Sequence, residues 1–357
     1  MNIRERHIFA MNFKIITIDN KNEWDNTVKS FADHEVYYLS GYAYGFKVHG
    51  DGEPVLIYFE DKDRKFRAMN VVMKRHIADM GDFKNPQAAE GFFDMATPYG
   101  YGGLITDGDV TEEFRKDYSS FCIDNNIVSE FVRFNPMTDN YKACGDMYDV
   151  VRLGETVYID LRDEEYVWNN FTGKNRNVIR KAIKEGVSIH HTEEPWIIDE
   201  FMEIYNSTMD RDEATDYYYF KKEYYESIIH ELKGNYSFFY AMKDNKTIAV
   251  SIILFANNTM HYHLSASRRE FQRFAPTNLM LFEACKFGIE KGFSAFHLGG
   301  GVGSGEDGLY KFKKSFNKNE NKQYCIGKKI YDIDKYNELV ENRNQIKNKN
   351  FFPEYRG

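Results

Sequence analysis

The chain has 357 residues, of which 42% are hydrophobic and 16% are aromatic. This length exceeds that of a typical single domain, and the apolar content can fill a core, so we expect two folded domains and exclude a disordered protein. The formal net charge of -8 argues against general nucleic-acid binding, which a basic surface would favour. An anionic ligand would therefore need a local group of basic residues.

Metal sites, membrane spans and secretion are also disfavoured. The 4 cysteines and 10 histidines show no metal-ligand spacing, so we predict no metal site. No apolar segment reaches the roughly 18–20 residues that a membrane span needs. The segment Met1–Ala10 is charged and lacks the apolar stretch of a secretory signal. We expect a cytoplasmic protein with reduced thiols and no integral membrane segment.

The first half, residues 1–150, is predicted to form one domain. Alternating apolar residues predict strands at Tyr42–Val48, Pro54–Glu60 and Lys65–Arg75. A helix is predicted over Val110–Asn125 and a buried strand over residues 128–134. This domain would thus contain a strand meander, a helix and a return strand.

The second half, residues 151–327, is predicted to repeat that outline after a strand and additional helices. These first elements are predicted at Val150–Leu161, Asn170–Lys184, Ile197–Met209 and Lys222–Lys233. They are followed by three strands, a helix, a strand and a short helix, at Tyr236–Lys243, Thr247–Ala256, Thr259–Ala266, Pro276–Lys291, Phe293–Leu298 and Asp307–Phe316. The polar tail 328–357 is expected to pack back on the first domain without building a core. The pattern indicates an α/β protein with mixed sheets and two tandem domains.

The start of the helix at Pro276 is the first candidate site. Proline suits the first helical turn, where free N–H groups and the helix dipole attract anions. Arg273 adds positive charge just before it. We therefore predict that a donor phosphate binds to Arg273, Asn278 and the backbone N–H groups of Ala275 and Thr277. The alternative is an ordinary loop with solvated arginines.

The predicted helix around Lys174–Lys184 is unusually basic for an acidic protein. Its buried face is predicted to contain Val178, Ile179, Ala182 and Ile183. Arg176 and Arg180 lie on a neighbouring stripe, with lysines close by. We predict that these arginines bind a phosphorylated acceptor or an RNA backbone, the alternative being a solvated face.

The third candidate site is the glycine run Gly299, Gly300 and Gly301 with the short helix after it. Successive glycines let a ligand approach the backbone closely, so we assign them to donor binding. Ser304 and Asp307 offer a helix cap. Leu309, Phe312 and Phe316 are predicted to face the core. Lysines at the exposed positions could hold a donor phosphate or stabilise an oxyanion, or be ordinary surface residues; they are Lys311, Lys313 and Lys314.

Two further groups complete the candidate residues. Asp307, Tyr262 and His263 are candidates for the base that accepts an amine proton. Tyr99 and Tyr101 alternate with glycines, and tyrosine pairs a flat apolar face with a hydroxyl. Together with Tyr217 they are predicted to form an acceptor-binding rim, the alternative for each being core or edge packing.

Four segments, Thr97–Gly103, Lys174–Gly186, Arg273–Gly292 and Leu298–Phe316, together resemble the Fem family of peptidoglycan-bridge peptidyltransferases and its acetyltransferase-like relatives in the GNAT superfamily. The resemblance implies two tandem GNAT-like domains. It also implies transfer of an amino acid from aminoacyl-tRNA to an amine, without a metal or a covalent enzyme intermediate. Acetyltransferases hold the pyrophosphate of coenzyme A on a loop Arg-x-x-Gly-x-Gly/Ala, whereas here no glycine occurs between Arg268 and Asn278.

The leading hypothesis is an acyl or aminoacyl transferase that acts on an amine acceptor in the cytoplasm, and the resemblance to the Fem family implies a role in cell-wall biogenesis. Its acceptor would be a small molecule or a cell-wall precursor, and tRNA is a candidate partner. No cofactor would be tightly bound, since the co-substrate is aminoacyl-tRNA or acyl-CoA. One alternative is an acyl-CoA-dependent N-acetyltransferase acting on a sugar or lipid precursor. The other is a GNAT-fold binding protein that has lost its activity.

Overall fold

The computed structural model describes residues 13–357, so Met1–Ala10 lies outside the described residues. The strands are β1 (Phe13–Thr17), β2 (Glu53–Glu60), β3 (Arg67–His76), β4 (Phe93–Ala96), β5 (Ile105–Asp107), β6 (Ile127–Arg133), β7 (Asp149–Asp160), β8 (Ser188–Thr192), β9 (Tyr236–Lys243), β10 (Lys246–Ala256), β11 (Thr259–Ser267), β12 (Ala295–Gly299) and β13 (Lys322–Ile330). The helices are α1 (Lys21–Lys29), α2 (Ser40–His49), α3 (Glu112–Asp124), α4 (Tyr141–Cys144), α5 (Glu164–Asn170), α6 (Gly173–Lys184), α7 (Ile197–Arg211), α8 (Lys222–Glu231), α9 (Pro276–Lys291), α10 (Gly308–Lys314) and α11 (Ile333–Asn342).

The chain divides into two compact units. The first contains residues 13–32, Gly50–Val151 and Cys325–Gly357, and the second contains Asp33–His49 and Arg152–Tyr324. The second unit thus includes a segment from the first half of the chain. The sequence had suggested that this segment belongs to the first domain, because nothing local marks it as part of the other.

That segment contains helix α2, where a strand was predicted at Tyr42–Val48. The strand prediction is wrong. Tyr42, Ala43 and Phe46 are buried, at the helical spacing i, i+1 and i+4. Gly41 faces α8 so closely that an added Cβ would lie 2.1 Å from the carbonyl oxygen of Glu231. The apolar residues of this segment also fit a strand alternation, and tertiary packing selects the helix.

We expect Gly41→Ala to lower the free energy of unfolding by about 1–3 kcal/mol, as overpacking does. The added methyl group would push α2 away from α8. Gly173→Ala is the matched control, because no atom lies within 4 Å of a Cβ built at Gly173. This control should change stability by less than about 0.5 kcal/mol in urea denaturation. Equal stability of the two variants would rule out the close packing of α2.

The sheet of the first unit has the strand order β1-β2-β3-β4-β6-β13, and β5 also pairs with β3. Strands β4 and β6 are parallel, whereas β2, β3 and β4 form an antiparallel meander. Helix α3 begins at the cap Thr111, which accepts a hydrogen bond from the Phe114 N–H. Its apolar stripe covers the sheet through Phe114, Tyr118 and Phe121. Two of the three predicted meander strands, Pro54–Glu60 and Lys65–Arg75, are confirmed as β2 and β3. The predicted helix and return strand are confirmed as α3 and β6.

A buried carboxylate stands in this first core. Glu130 is 0% exposed and accepts hydrogen bonds from Asn70 Nδ2 at 2.7 Å, Tyr148 at 3.2 Å and Tyr331 at 2.5 Å. The Tyr118 hydroxyl also donates to it at 3.4 Å. Burial raises the pKa of Glu130, and the hydrogen bonds oppose that shift. The carboxylate is accommodated by hydroxyl and amide donors.

The C-terminal tail builds part of a core, contrary to the prediction that it would not. Leu339 and Tyr355 are fully buried, in a cluster with Ile77 and Val128 of the first unit. Few apolar residues suffice here because large aromatic rings each bury a wide area. The tail is therefore integral to the first unit.

The sheet of the second unit has the order β7-β12-β11-β10-β9-β8. The meander β9-β10-β11 is antiparallel, β11 and β12 are parallel, and β12 and β7 are antiparallel. The predicted helix Pro276–Lys291 is confirmed as α9. The predicted helix Asn170–Lys184 is instead interrupted, because Thr172 caps a new helix by accepting a hydrogen bond from the Asn175 N–H at 3.3 Å.

Candidate functional site

Strands β11 and β12 mark the centre of the candidate site. Their parallel ladder joins Thr259–His261 to Ala295–His297 and ends at the pair His261–His297. Strand β11 continues to Ser267, while β12 ends at Gly299, which has a φ of 77°. Beyond this last pair, β12 no longer pairs with β11. The backbone N–H and C=O groups on that side of β11 therefore need a different hydrogen-bonding partner. A bound ligand could supply that partner.

Lys313 of α10 lies at this end of the ladder. It is only 8% exposed, and its Nζ donates a hydrogen bond to the Gly300 carbonyl at 2.7 Å. The ammonium also lies 6.0 Å from the centroid of the Tyr262 ring. Burial lowers the pKa of Lys313 to about 8, and the charge of Asp307 opposes this shift. The site therefore holds a buried cation beside the glycine run.

The predicted orientation of α10 is partly wrong. Lys313 was expected to be exposed and is buried with Tyr310, whereas Leu309 was expected in the core and is 40% exposed. Phe316 is fully buried, as predicted. The helix is rotated because Tyr310 and Lys313, three residues apart, form its inner face.

The other two lysines of α10 differ from Lys313. Lys311 is exposed, as predicted. Lys314 was also expected to be exposed, but it is half-buried and donates hydrogen bonds to the Asn319 carbonyl at 2.6 Å and to Asn321 Oδ1 at 3.0 Å. Of the three lysines, Lys313 alone is both buried and bonded to the glycine run.

Asp307 holds the glycine run in place. It caps α10 by accepting a hydrogen bond from the Tyr310 N–H at 2.8 Å, and it also accepts one from the Val302 N–H at 3.1 Å. These bonds, the one from Tyr310 first, lower the pKa of Asp307. A Cβ at Gly301 would lie 2.4 Å from its Oδ1. A carboxylate with a lowered pKa is a weak base, so the geometry favours a structural role over proton transfer.

Tyr262 and His263 are neighbours on β11 with different surroundings. Burial raises the pKa of Tyr262 to about 12. His263 forms a hydrogen bond with the Tyr224 hydroxyl at 2.7 Å. Burial lowers the pKa of His263 to about 3. Both side chains are therefore neutral near pH 7, and neither has the pKa of an efficient base.

Sequence reasoning missed a pair formed by His261 of β11 and Glu35, a residue far away in the sequence. The carboxylate of Glu35 is 2.5 Å from His261 Nε2, and both residues are buried. The rings of His261 and His297 are 5.5 Å apart. No local pattern could reveal this pair, since 226 positions separate Glu35 from His261.

At the start of α9 the backbone differs from the prediction. Ala275 has a φ of 51°, and its N–H donates to the Gln272 carbonyl at 2.9 Å, so it is not open to a phosphate. The N–H groups of Thr277 and Asn278 lie in the first helical turn, where no carbonyl of the helix can accept them. The side chain of Asn278 donates to Asn175 Oδ1 at 2.9 Å. This bond joins the N-terminal turns of α9 and α6.

The three arginines predicted to bind phosphate or RNA differ in exposure and in hydrogen bonding. The Arg176 guanidinium donates to the carbonyls of Trp168, Asn169 and Phe171, and so caps the end of α5. Arg180 is exposed, with its guanidinium 5.1 Å from the Trp168 ring centroid. Arg273 is also exposed, and its carbonyl accepts a hydrogen bond from Lys181 Nζ at 3.4 Å.

On the inner face of α6 one predicted residue is misplaced. Ile179 and Ala182 are fully buried, as expected. Ile183 was predicted to be buried but is 54% exposed. The apolar stripe of α6 is thus narrower than its sequence indicates, and the exposed cations occupy the rest of the helix surface.

The three candidate rim tyrosines belong to different units. Tyr99 and Tyr101 lie in the first unit, between β4 and β5, and are half-buried. Tyr217 lies in the second unit, is 39% exposed and has its ring 4.9 Å from that of His49.

Metal-ligand groups and helices long and apolar enough to span a membrane are both absent from residues 13–357. No group of three or more histidine, cysteine, aspartate or glutamate residues there could hold a metal ion. In the same residues no helix combines the length and apolar character needed to cross a membrane. Four cysteines have free thiols and are buried, namely Cys122, Cys144, Cys285 and Cys325.

Comparison with known proteins agrees with this geometry. Residues 173–314 match the family model described as an acetyltransferase (GNAT) domain. That segment includes the β11–β12 ladder, α9 and Lys313. The second unit therefore carries an acetyltransferase-type (GNAT) domain. Among curated proteins, none matches the sequence.

Solved structures with a similar fold extend over most of the chain. One is FemX, with a TM-score of 0.62 and 16% identity over 90% of this chain and 97% of that one. Another is the C-terminal domain of a putative lysylphosphatidylglycerol synthetase from Agrobacterium fabrum, with a TM-score of 0.52 and 13% identity over 87% and 91% of the two chains. A tandem GNAT protein from the clavulanic acid pathway has a TM-score of 0.50 and 8% identity over 89% and 98%. The predicted α/β class and the predicted tandem-GNAT, Fem-like fold are confirmed.

Proposed function

We propose that this protein transfers an activated acyl group to an amine acceptor, with Lys313 stabilising the reacting carbonyl. The observation that carries the proposal is the buried Lys313 ammonium at the end of the β11–β12 ladder. The amine nitrogen attacks the donor carbonyl and forms a C–N bond. The C–O or C–S bond of the donor then breaks, and the proton lost by the amine goes to the leaving oxygen or sulfur.

The surroundings of Lys313 suit this role. An ammonium carries several N–H donors, and Gly300 accepts only one of them. The remaining donors can meet the negative charge that develops on the carbonyl oxygen. A buried, preoriented cation stabilises such charge more strongly than a solvated one, because the local dielectric constant is low.

For the donor, the leading proposal is an aminoacyl ester of tRNA. Two observations support it over acyl-CoA. The segment before α9 lacks glycine, and the Ala275 N–H is occupied by Gln272. In addition, Lys174, Arg180 and Lys184 of α6 are exposed cations that could contact an RNA backbone. An acyl-CoA donor is the second candidate, favoured by the GNAT family match over residues 173–314.

For the acceptor, we propose a small amine or a cell-wall precursor in the cytoplasm. The four buried free thiols suit a reducing compartment. Transfer should be tested with the full-length protein, supplied separately with labelled aminoacyl-tRNA and with labelled acetyl-CoA, together with a panel of amines. Labelled amide formed from one donor identifies that donor. Absence of product from both donors, with the acceptor panel exhausted, would leave the binding-protein alternative.

Transfer should also depend on pH through Lys313. Its pKa is about 8, so the ammonium is present below pH 8 and is lost above it. We therefore expect kcat to fall on the alkaline side of about pH 8. Lys313→Arg should remove this alkaline limb, whatever its absolute rate, because arginine stays protonated. An alkaline limb unchanged in that variant would show that another group causes it.

A further inference from the structure

The Glu35–His261 pair is buried and lies outside the backbone hydrogen bonding of the sheet. Glu35 is 4% exposed and His261 is 0% exposed. Their hydrogen bond is 2.5 Å long and joins the residue just before the 3₁₀ turn Val36–Tyr38 to the third residue of β11. Burying a carboxylate and an imidazole costs free energy, and an apolar contact could fill the same space without that cost. The presence of the pair therefore suggests a role other than stability.

The hydrogen bond defines the tautomer of the ring. A carboxylate can only accept, so the hydrogen of neutral His261 lies on Nε2 and the lone pair lies on Nδ1. Among the described residues, His261 Nδ1 is buried and has no hydrogen-bond partner. An imidazole backed by a carboxylate and open at its other nitrogen has the arrangement of a proton acceptor.

The pair is next to the candidate site. His261 and His297 are the last paired residues of the β11–β12 ladder, and their rings are perpendicular at 5.5 Å. Burial lowers the pKa of His297 well below its usual value, and the charge of Lys313 lowers it further. His297 therefore has His261 on one side and lies within electrostatic range of Lys313.

We propose that the Glu35–His261 pair, acting through His297, holds the proton that the acceptor amine loses during transfer. This inference rests on the proposed function. As the C–N bond forms, the amine proton passes by way of His297 to His261 Nδ1. His297 does not retain it, because Lys313 disfavours a second cation nearby, whereas the Glu35 carboxylate stabilises the His261 imidazolium. The proton then passes to the leaving oxygen or sulfur. Glu35 is thus a positioning residue.

The pH dependence of His261 would reflect the titratable and aromatic groups that surround its imidazole. Glu35 precedes the 3₁₀ turn, and Tyr37 within that turn has its ring 4.6 Å from the imidazole. His263 lies two positions along β11, and His297 lies on β12. Lys313 on α10 acts on His297. Removal of the Glu35 carboxylate changes the charge of this group without touching Lys313.

The decisive variant is Glu35→Gln in the full-length protein, compared with Glu130→Gln. Both replace a buried glutamate, but Glu130 is bonded to tyrosines and Asn70 in the first unit. We expect Glu35→Gln to lower kcat by about 10–100-fold, as loss of assistance to a general base does, with KM changed less than about threefold. The acid limb of kcat should move to lower pH, since an unassisted imidazole is harder to protonate. Glu130→Gln should keep kcat within about twofold of the wild type.

A structural role would give a different result. If Glu35→Gln lowers thermal stability but leaves kcat and the acid limb unchanged, the proposal is overturned. If that variant does not fold, Glu35→Asp is the substitute, because it retains a carboxylate. It should keep the acid limb of the kcat–pH profile at the wild-type position, and a limb displaced to lower pH would count against the pair.

Nitrogen NMR of the wild-type protein with labelled histidine tests the pair without any transfer assay. It should show His261 protonated on Nε2 and unprotonated on Nδ1 at neutral pH, with a downfield Nε2–H resonance that Glu35→Gln removes. The opposite tautomer would overturn the inference. Absence of wild-type transfer together with the expected tautomer would instead refute the proposed function and leave the pair intact.

Discussion

Lys313→Met should lower kcat by about 10²–10³-fold, the loss that follows removal of one oxyanion donor. The methionine chain fills a similar volume but offers no N–H to the developing charge. Because it also removes a buried ammonium, the free energy of unfolding should stay within about 1 kcal/mol or rise. Steady-state kinetics with the donor identified by the transfer assay measure the first effect, and urea denaturation measures the second.

Lys311→Met is the comparison for this variant. Lys311 lies on the same helix, two residues away, but is exposed. We expect a much smaller loss of kcat, since a solvated lysine has no fixed direction toward the carbonyl. If Lys311→Met abolishes transfer and Lys313→Met does not, the assignment of the oxyanion donor is wrong.

Asp94→Asn should have the largest effect on stability, about 3–5 kcal/mol, because it removes a buried carboxylate and leaves two half-buried arginine charges without their partner. Asp94 is 0% exposed and accepts hydrogen bonds from Arg75 Nε at 2.6 Å and Arg356 Nε at 2.5 Å. The Tyr355 hydroxyl donates to it at 3.1 Å. Since Tyr355 and Arg356 belong to the tail, we expect the variant also to expose the tail to proteolysis.

The control for Asp94 is a surface ion pair. Glu60 lies 3.9 Å from Arg64, and the Arg64 side chain is 81% exposed. Glu60→Gln should change the free energy of unfolding by less than about 1 kcal/mol, as exposed pairs usually do. A tail that remains protected from protease in Asp94→Asn would show that Asp94 does not anchor it.

The fold was largely predictable wherever local signals were strong. Pro276 at the first helical turn and Gly292 after the last defined α9 from Pro276 to Lys291, because proline and glycine constrain the backbone by themselves. The failure at α2 has an equally physical cause. Its aromatic residues suit either a strand or a helix, and contact with α8 through Gly41 decides between them.

The candidate site was predictable in its chemistry and less so in its geometry. Lys313, Gly300 and Asp307 were all named from the sequence, since a glycine run before a capped, lysine-rich helix is a local pattern. Burial of Lys313 was not predicted, because a rotation of α10 by a fraction of a turn changes which lysine faces inward. The N–H of Ala275 was predicted to be free, but a 3₁₀ turn occupies it.

By itself the sequence determined the class of fold, the order of strands and helices from β9 to α10, and the presence of a lysine beside a glycine run. These depend on periodicity, capping and glycine conformation, which act over a few residues. Only the tertiary structure decided that residues 33–49 belong to the second unit and that Glu35 meets His261. Contacts across such sequence separations arise from packing of whole elements, so no local propensity encodes them.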